Sequence, residues 1–156
     1  CPVETPKNKI MKRAIFPGTF DPFTKGHLSI VLRGLEVFDT IIIAIGTNTE
    51  KAPMWALDKR KQLIEALFCD HPNVTVDTYK GLTMGYCKAK KATHILRGLR
   101  SSKDFSYEQP IAQTNRALSG IDTVFFASDP ALTHISSTIV RDLAKHNGDI
   151  SMFLPE

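Results

Sequence analysis

The sequence predicts an α/β fold: a single doubly wound, Rossmann-like domain with a five-stranded parallel sheet and helices on both faces. Three observations carry that expectation. Short apolar or β-branched runs alternate along the chain with stretches of helical spacing, the order that parallel strands and crossover helices impose. The run Thr40 to Gly46, TIIIAIG, shows no polar alternation, as a strand covered on both sides requires. The length, 156 residues with 42% apolar content, suits one core and one domain.

Residues 1–10, with Pro2, Pro6, Lys7, Asn8 and Lys9, read as a polar tail, and 11–156 as the domain, with Met11 a candidate biological start. Lys12 to Phe16 is the first strand. A helix over Gly26 to Phe38 follows, its Ile30, Val31, Leu35 and Phe38 near one face. Thr40 to Gly46 is the second strand, and after a polar loop a helix runs from Leu57 to Phe68. Val74 to Thr78 is a weak third strand. Leu82 to Lys91 reads as a helix despite Gly85, and His94 to Leu96 as a fourth strand that gives way to Arg97-Gly98-Leu99-Arg100. Asp104 to Leu118 has helical spacing, but Pro110 must kink it or open its second half. Thr123 to Ala127 is the fifth strand. The final helix, Thr138 to His146, is capped by Ser136 or Ser137 and stops before Gly148 in the usual C-terminal position.

The stretch that organises the chain is GTFDPFTKGH, Gly18 to His27, between the first strand and the first helix. Pro17 and Pro22 stiffen this turn, and Gly18 and Gly26 permit close approaches that a Cβ would forbid. Most Gly/Pro-rich turns only connect elements. This one also sets Thr19, Thr24, Lys25 and His27 around a helix start, where unpaired N–H groups and the positive end of the macrodipole favour a phosphate.

Twenty Lys and Arg against sixteen Asp and Glu leave a formal charge of +4, which favours anionic partners. Lys88, Lys90 and Lys91 form the densest basic cluster and read as the wet side of a helix, without the interleaved aromatics of a nucleic-acid groove. Three cysteines, Cys1, Cys69 and Cys87, have neither disulfide-framework nor C-x-x-C spacing, which fits a reducing cytoplasm. Ile41 to Ile45, the most apolar segment, is too short to span a bilayer. No nucleic-acid or membrane partner is expected.

In a doubly wound sheet the first strand lies beside the fourth where the winding reverses, and ligands bind beyond the carboxyl ends there. The Gly18–His27 loop, RGLR after the fourth strand and THISST (Thr133 to Thr138) after the fifth would then meet in one crevice. It would hold His27, Lys51, Arg97 and Arg100 as donors with hydroxyls of Thr19, Ser136, Ser137 and Thr138. No Ser-His-Asp or Cys-His set, H-E-x-x-H or His/Cys cluster accompanies them, and neither Walker A nor G-x-G-x-x-G is present. Donors without a nucleophile suit phosphoryl or nucleotidyl transfer, where positioning and charge neutralisation do most of the catalysis. Arg97 and Arg100 could instead pair with Asp104 or Glu108. Asp21 could bind metal or accept backbone N–H groups within its turn.

The T-x-G-H of Thr24 to His27 with I-S-S-T of Ile135 to Thr138 resembles the adenylyltransferase superfamily. The segments ILRGLR (Ile95 to Arg100), DFSYE (Asp104 to Glu108), NRAL (Asn115 to Leu118) and HNGDISMFLP (His146 to Pro155) closely resemble bacterial phosphopantetheine adenylyltransferases. The resemblance implies transfer of AMP from ATP to 4'-phosphopantetheine, giving dephospho-coenzyme A and pyrophosphate with Mg2+ as cofactor. It makes Thr19, Phe20 and His27 ATP contacts, with His27 catalytic and Thr19 also facing the second substrate. It gives the phosphopantetheine phosphate to Lys51 and Arg97 and the pantetheine arm to Thr83. It gives the nucleotide to Gly98, Leu99, Arg100, Glu108 and the segment Leu132, Thr133, His134, Ile135, Ser136, Ser137 and Thr138. A homohexamer and coenzyme A as a product-like inhibitor are further expectations. Within the class the alternative is a nicotinate or nicotinamide mononucleotide adenylyltransferase, and outside it a non-catalytic adenine-nucleotide sensor.

Overall fold

Ile41, Ile43 and Ile45 are fully buried, as are Ile15 and Leu96 beside them, and these side chains fix the middle of one parallel sheet. The computed structural model describes residues 10–47 and 52–156, so Lys51 and all of the expected tail except exposed Ile10 lie outside the described residues. The strands are β1 (Arg13–Gly18), β2 (Thr40–Gly46), β3 (Val74–Tyr79), β4 (His94–Leu99) and β5 (Asp122–Ala127). The α-helices are α1 (Lys25–Gly34), α2 (Leu57–Leu67), α3 (Thr83–Ala89), α4 (Ser102–Ser119) and α5 (Ser137–Lys145). The sheet order is β3-β2-β1-β4-β5 and every pairing is parallel. The expected neighbours β1 and β4 are therefore adjacent, and the winding reverses between them.

Strand alternation divides the core between the two faces. Ala14, Phe16, Ile43 and Leu96 pack with Ile30 and Val31 of α1 and Ile64 of α2. Ile15, Ala44 and Ile95 point the other way, against Met84 and Cys87 of α3. Helices thus cover both faces.

The differences from expectation cluster at element ends. β1 runs on through Pro17 and Gly18, which the turn had been expected to contain, because β2 supplies a continuous ladder to them, Gly18 opposite Ile45. Likewise β4 continues past Leu96 through Arg97, Gly98 and Leu99, paired with Phe125, Phe126 and Ala127 of β5. The first helix ends at Gly34, four residues before buried Phe38. A Cβ at Gly34 would stand 2.9 Å from Ile41, so this residue lets the end of α1 lie close on the sheet. Pro110 does not divide its helix: α4 is one 18-residue element with Pro110 inside it. At the end of α5 the left-handed residue is Asn147 (φ 62), not Gly148, whose N–H donates to the Leu143 carbonyl at 2.8 Å.

Candidate active site

The register between β1 and β4 opens the site. Backbone pairing covers Ala14 with His94 and Ile15 with Ile95 only, while both strands continue beyond it. Past that point a side chain bridges the gap: Arg97 Nη1 donates to the Pro17 carbonyl at 2.6 Å. The guanidinium also makes a two-point contact with Glu108 of α4, Nη2 to Oε1 at 2.5 Å and Nε to Oε2 at 3.2 Å. Two cavities lie on either side of this bridge, and Arg97 and Glu108 line both.

The first cavity, of about 270 Å3, is lined by His27 and Gly26 of α1, Gly98, Arg100, Leu132, Ile135 and the start of α5, Ser136, Ser137 and Thr138. The local sequence explains its shape. Thr24 caps α1 and Ser136 caps α5, its Oγ accepting the Ile139 N–H at 3.2 Å. The remaining first-turn N–H groups of both helices have no intrahelical acceptor. Gly98 leaves room on this side, since a Cβ there would meet Ile30 at 3.0 Å.

His27 occupies the third position of α1 in a capping box. Its Nδ1 accepts the Thr24 backbone N–H at 3.0 Å, so the neutral ring carries its proton on Nε2. The Phe16, Phe20 and Phe23 rings enclose it with centroids 5.0 to 6.0 Å away. Burial, then the nearby positive charges of Arg97 and Arg100, lower its pKa from 6.5 to about 3. His27 is therefore a neutral donor at physiological pH. Burial is the largest cause, where the sequence argument relied on the helix start alone.

The second cavity, of about 390 Å3, has apolar walls of Leu82, Met84, Ile95, Ile111, Ala112 and Leu118, with Tyr79, Thr83, Tyr107 and Asn115 as polar groups. Thr83, expected beside the acceptor's arm, lines this cavity. The structure thus brings His27, Gly98, Arg100, Glu108, Leu132, Ile135, Ser136, Ser137 and Thr138 to the first cavity, with Arg97 between the two.

Five expected residues line neither cavity. Thr19 is exposed on the loop, its carbonyl accepting from Arg60 Nη1 at 2.7 Å. The Phe20 ring is 3% exposed and lies in the core against His27, with its backbone left-handed (φ 49). Leu99 ends β4, Thr133 faces a separate surface hollow beside Arg100 and Lys103, and the His134 ring stands against Phe153. Asp21 accepts backbone N–H groups, though from outside its own turn: its carboxylate takes the Met54 and Trp55 N–H groups, in the segment before α2, at 2.7 and 3.0 Å. Among the described residues no group of three or more His, Cys, Asp or Glu could hold a metal ion. No helix among them is long and apolar enough to cross a membrane.

Sequence reasoning left Ser128, Tyr79, Tyr107 and Asn115 without a site role, and all four line a cavity. Thr24, expected around the helix start, lines the first cavity and caps α1 in a capping box with His27 in place of Glu. Tyr79 ends β3, while Tyr107 and Asn115 stand eight residues apart on α4, a helical spacing that sets both on one face.

Comparison with known proteins bears on this geometry directly. The cytidylyltransferase-like family model matches residues 15–143, a span that contains both cavities. Phosphopantetheine adenylyltransferase of Flavobacterium johnsoniae is 51% identical over 146 residues, 94% of this chain and 96% of that protein. The chain belongs to the phosphopantetheine adenylyltransferase family. More distant members keep the match: the phosphopantetheine adenylyltransferase of Frankia alni is 39% identical over 150 residues, 94% of this chain and 93% of its own. Solved structures show the shared fold at low identity. A nicotinate-nucleotide adenylyltransferase structure from Vibrio parahaemolyticus superposes with TM-score 0.61 at 19% identity, over 94% of this chain and 95% of that one. A bifunctional NMN adenylyltransferase/ADP ribose pyrophosphatase from Francisella tularensis gives 0.71 at 18% identity, over 93% of this chain and 45% of that one. The fold is thus common to adenylyltransferases, while the sequence places the chain within one family of them.

Proposed function

We propose that the protein transfers the AMP part of ATP to 4'-phosphopantetheine, giving dephospho-coenzyme A and pyrophosphate. One observation carries the mechanism: the Thr24 N–H fixes the proton of a neutral His27 on Nε2, in a cavity that Arg97 and Arg100 also line. ATP would occupy the first cavity with its phosphates between the starts of α1 and α5. The acceptor would lie in the second, its phosphate at the Arg97 bridge. An oxygen of that phosphate attacks the α-phosphorus, the bond to the β-phosphate oxygen breaks, and pyrophosphate departs with the electron pair. His27 Nε2 donates to the α-phosphate as charge builds. One such preorganised donor is typically worth about 3 kcal/mol in the transition state.

No protein nucleophile is required. Burial pushes the Cys87 thiol, packed with Met84 and Ile95 of the second cavity's wall, up to about 11, which removes it as a candidate. Lys51, outside the described residues, is assigned to the acceptor phosphate through the family resemblance. Mg2+ would arrive on the phosphates of ATP, and neutralising them is the chemistry it supplies. Coenzyme A, which carries both an adenylate and a pantetheine arm, would compete for both cavities. A homohexamer is part of the proposal: α4 has no buried residue, and its exposed side is surface that a neighbouring subunit would cover. So is a cytoplasmic setting, in keeping with free Cys69 and Cys87.

The test is to present ATP with 4'-phosphopantetheine, nicotinate mononucleotide or nicotinamide mononucleotide and follow pyrophosphate. Release with the first alone supports the proposal. Release with a mononucleotide, the activity named for the structural neighbours, would replace it, and ATP binding with no release from any acceptor would leave a sensor.

A further inference from the structure

Arg60 stands in the first turn of α2 and is the one buried cation among the described residues, 5% exposed. Stability alone would not put it there. The positive end of a helix macrodipole disfavours a positive side chain, and among the described residues no carboxylate pairs with it. It lines a small hollow with Phe20, Phe23, Leu63 and Leu67, where a methionine would suit the apolar surroundings better. What the guanidinium holds is backbone: Nη1 donates to the Thr19 carbonyl at 2.7 Å and Nε to the Trp55 carbonyl at 3.0 Å.

These bonds flank a strained residue. Phe20 has φ 49, a conformation that a bulky side chain keeps only where its surroundings impose it. Arg60 takes the carbonyl on one side of it. On the other, the Asp21 carboxylate takes the N–H groups of Met54 and Trp55, so Trp55 is gripped through both its N–H and its carbonyl. The loop is thereby tied to the start of α2 at the two residues around Phe20. With its backbone so turned, the Phe20 ring folds back over Gly18, where a Cβ would stand 3.0 Å from it. There it meets the His27 ring edge to face, centroids 5.0 Å apart and planes at 88°.

We infer that Arg60 is a positioning residue for the transfer: its hold on the Thr19 carbonyl keeps Phe20 folded over His27 and so keeps the imidazole aimed into the first cavity. The inference rests on the reading under Proposed function, in which His27 is the donor, and adds what holds that donor in place from behind. Arg60 itself lines neither substrate cavity. The charged groups that share the first cavity with His27 are Arg97 and Arg100, with Glu108 and Asp104 of α4 paired to them, and none of the four bonds to Arg60. Loss of Arg60 therefore reaches His27 through the Phe20 turn: the ring moves off, and water comes to the imidazole.

The experiment joins an NMR pH titration of the His27 ring, assigned with His27→Gln, to steady-state kinetics on Arg60→Met and Arg60→Lys. In wild type the ring should show no midpoint near 6.5, since its pKa lies at about 3. In Arg60→Met the midpoint should climb towards 6.5, and kcat at neutral pH should fall roughly 10-fold with both KM values within about 3-fold of wild type. Arg60→Lys, whose ammonium can still serve the Thr19 carbonyl, should titrate like wild type and recover most of kcat. An unchanged kcat in Arg60→Met overturns the inference. So does a loss of kcat with the His27 midpoint unmoved, the mark of a general packing role. Should Arg60→Met fail to fold, Arg60→Gln is read by the same criteria. Wild type that releases no pyrophosphate with 4'-phosphopantetheine defeats the function first. The titration, which needs no substrate, then decides the inference, and equal midpoints in wild type and Arg60→Met overturn it.

Discussion

Arg97 donates to the carbonyl of Pro17 across the opening between β4 and β1, at 2.6 Å, where the backbone ladder of the two strands has already stopped. A side chain closes the sheet there, and the same side chain forms the wall between two cavities. Arg97→Lys keeps the charge but cannot hold Pro17 and both Glu108 oxygens at once. It should raise the acceptor KM about 10-fold, the scale of one charge-assisted hydrogen bond, with a smaller change in the ATP KM. Initial-rate measurements with each substrate varied in turn check this.

His27→Ala removes the donor to the α-phosphate and the acceptor of the Thr24 N–H together. We expect kcat to fall about 100-fold or more, with the ATP KM within a few-fold of wild type. We also expect a stability loss of about 1 kcal/mol from the broken capping box. His27→Gln separates the two, because Gln is an ordinary capping-box residue: Tm should recover and kcat should not. Near-normal kcat in His27→Ala would remove His27 from the mechanism.

The pKa of His27 is lowered to about 3 in the fold from the ordinary 6.5. Between those values the unfolded chain binds a proton that the folded chain does not, so stability falls as pH drops from about 6.5 towards 3. The His27 contribution is fully present above 6.5. The same shift means that the pH profile of kcat should show no acid limb near 6.5 arising from His27. Denaturant midpoints for wild type and His27→Gln across that window, beside kcat profiles, would show both effects.

Pro110 lies on the exposed side of α4 and supplies no N–H to the carbonyl four residues before it. Pro110→Ala should stabilise the protein by about 1 to 3 kcal/mol and leave both KM values unchanged. An unchanged or lower Tm would mean that neighbouring groups already compensate for the missing bond.

Ser136→Ala should cost about 1 kcal/mol through loss of the α5 cap and raise the ATP KM, since α5 then frays at the wall of the first cavity. Thermal unfolding and ATP titration test the two parts separately.

The sheet was legible wherever burial alone writes the sequence. TIIIAIG defined β2 to the residue, and the adjacency of β1 and β4 followed from the alternation of elements. The reading failed where a strand carries function. β4 seemed to stop at Leu96 because Arg97 breaks its apolar run, yet β5 pairs with it as far as Leu99. The same cause hid the end of β1, where Pro17 and Gly18 resemble a turn and line the second cavity instead. The three converging segments were visible because each combines a helix or strand end with donors. The Arg97 contact with Glu108 could be stated only as one option, since sequence spacing across α4 does not choose between Asp104 and Glu108. Arg100 took Asp104, its backbone N–H donating at 2.9 Å, which left Glu108 to Arg97.

The imidazole of His27 fastens the first turn of a helix with one nitrogen and presents the other to the cavity. Architecture and chemistry are thereby spent on a single ring. Replacement by alanine gives up the frame and the reaction in the same step, and glutamine would return the frame alone. The histidine is guarded twice over, once by what the protein does and once by how it holds its shape.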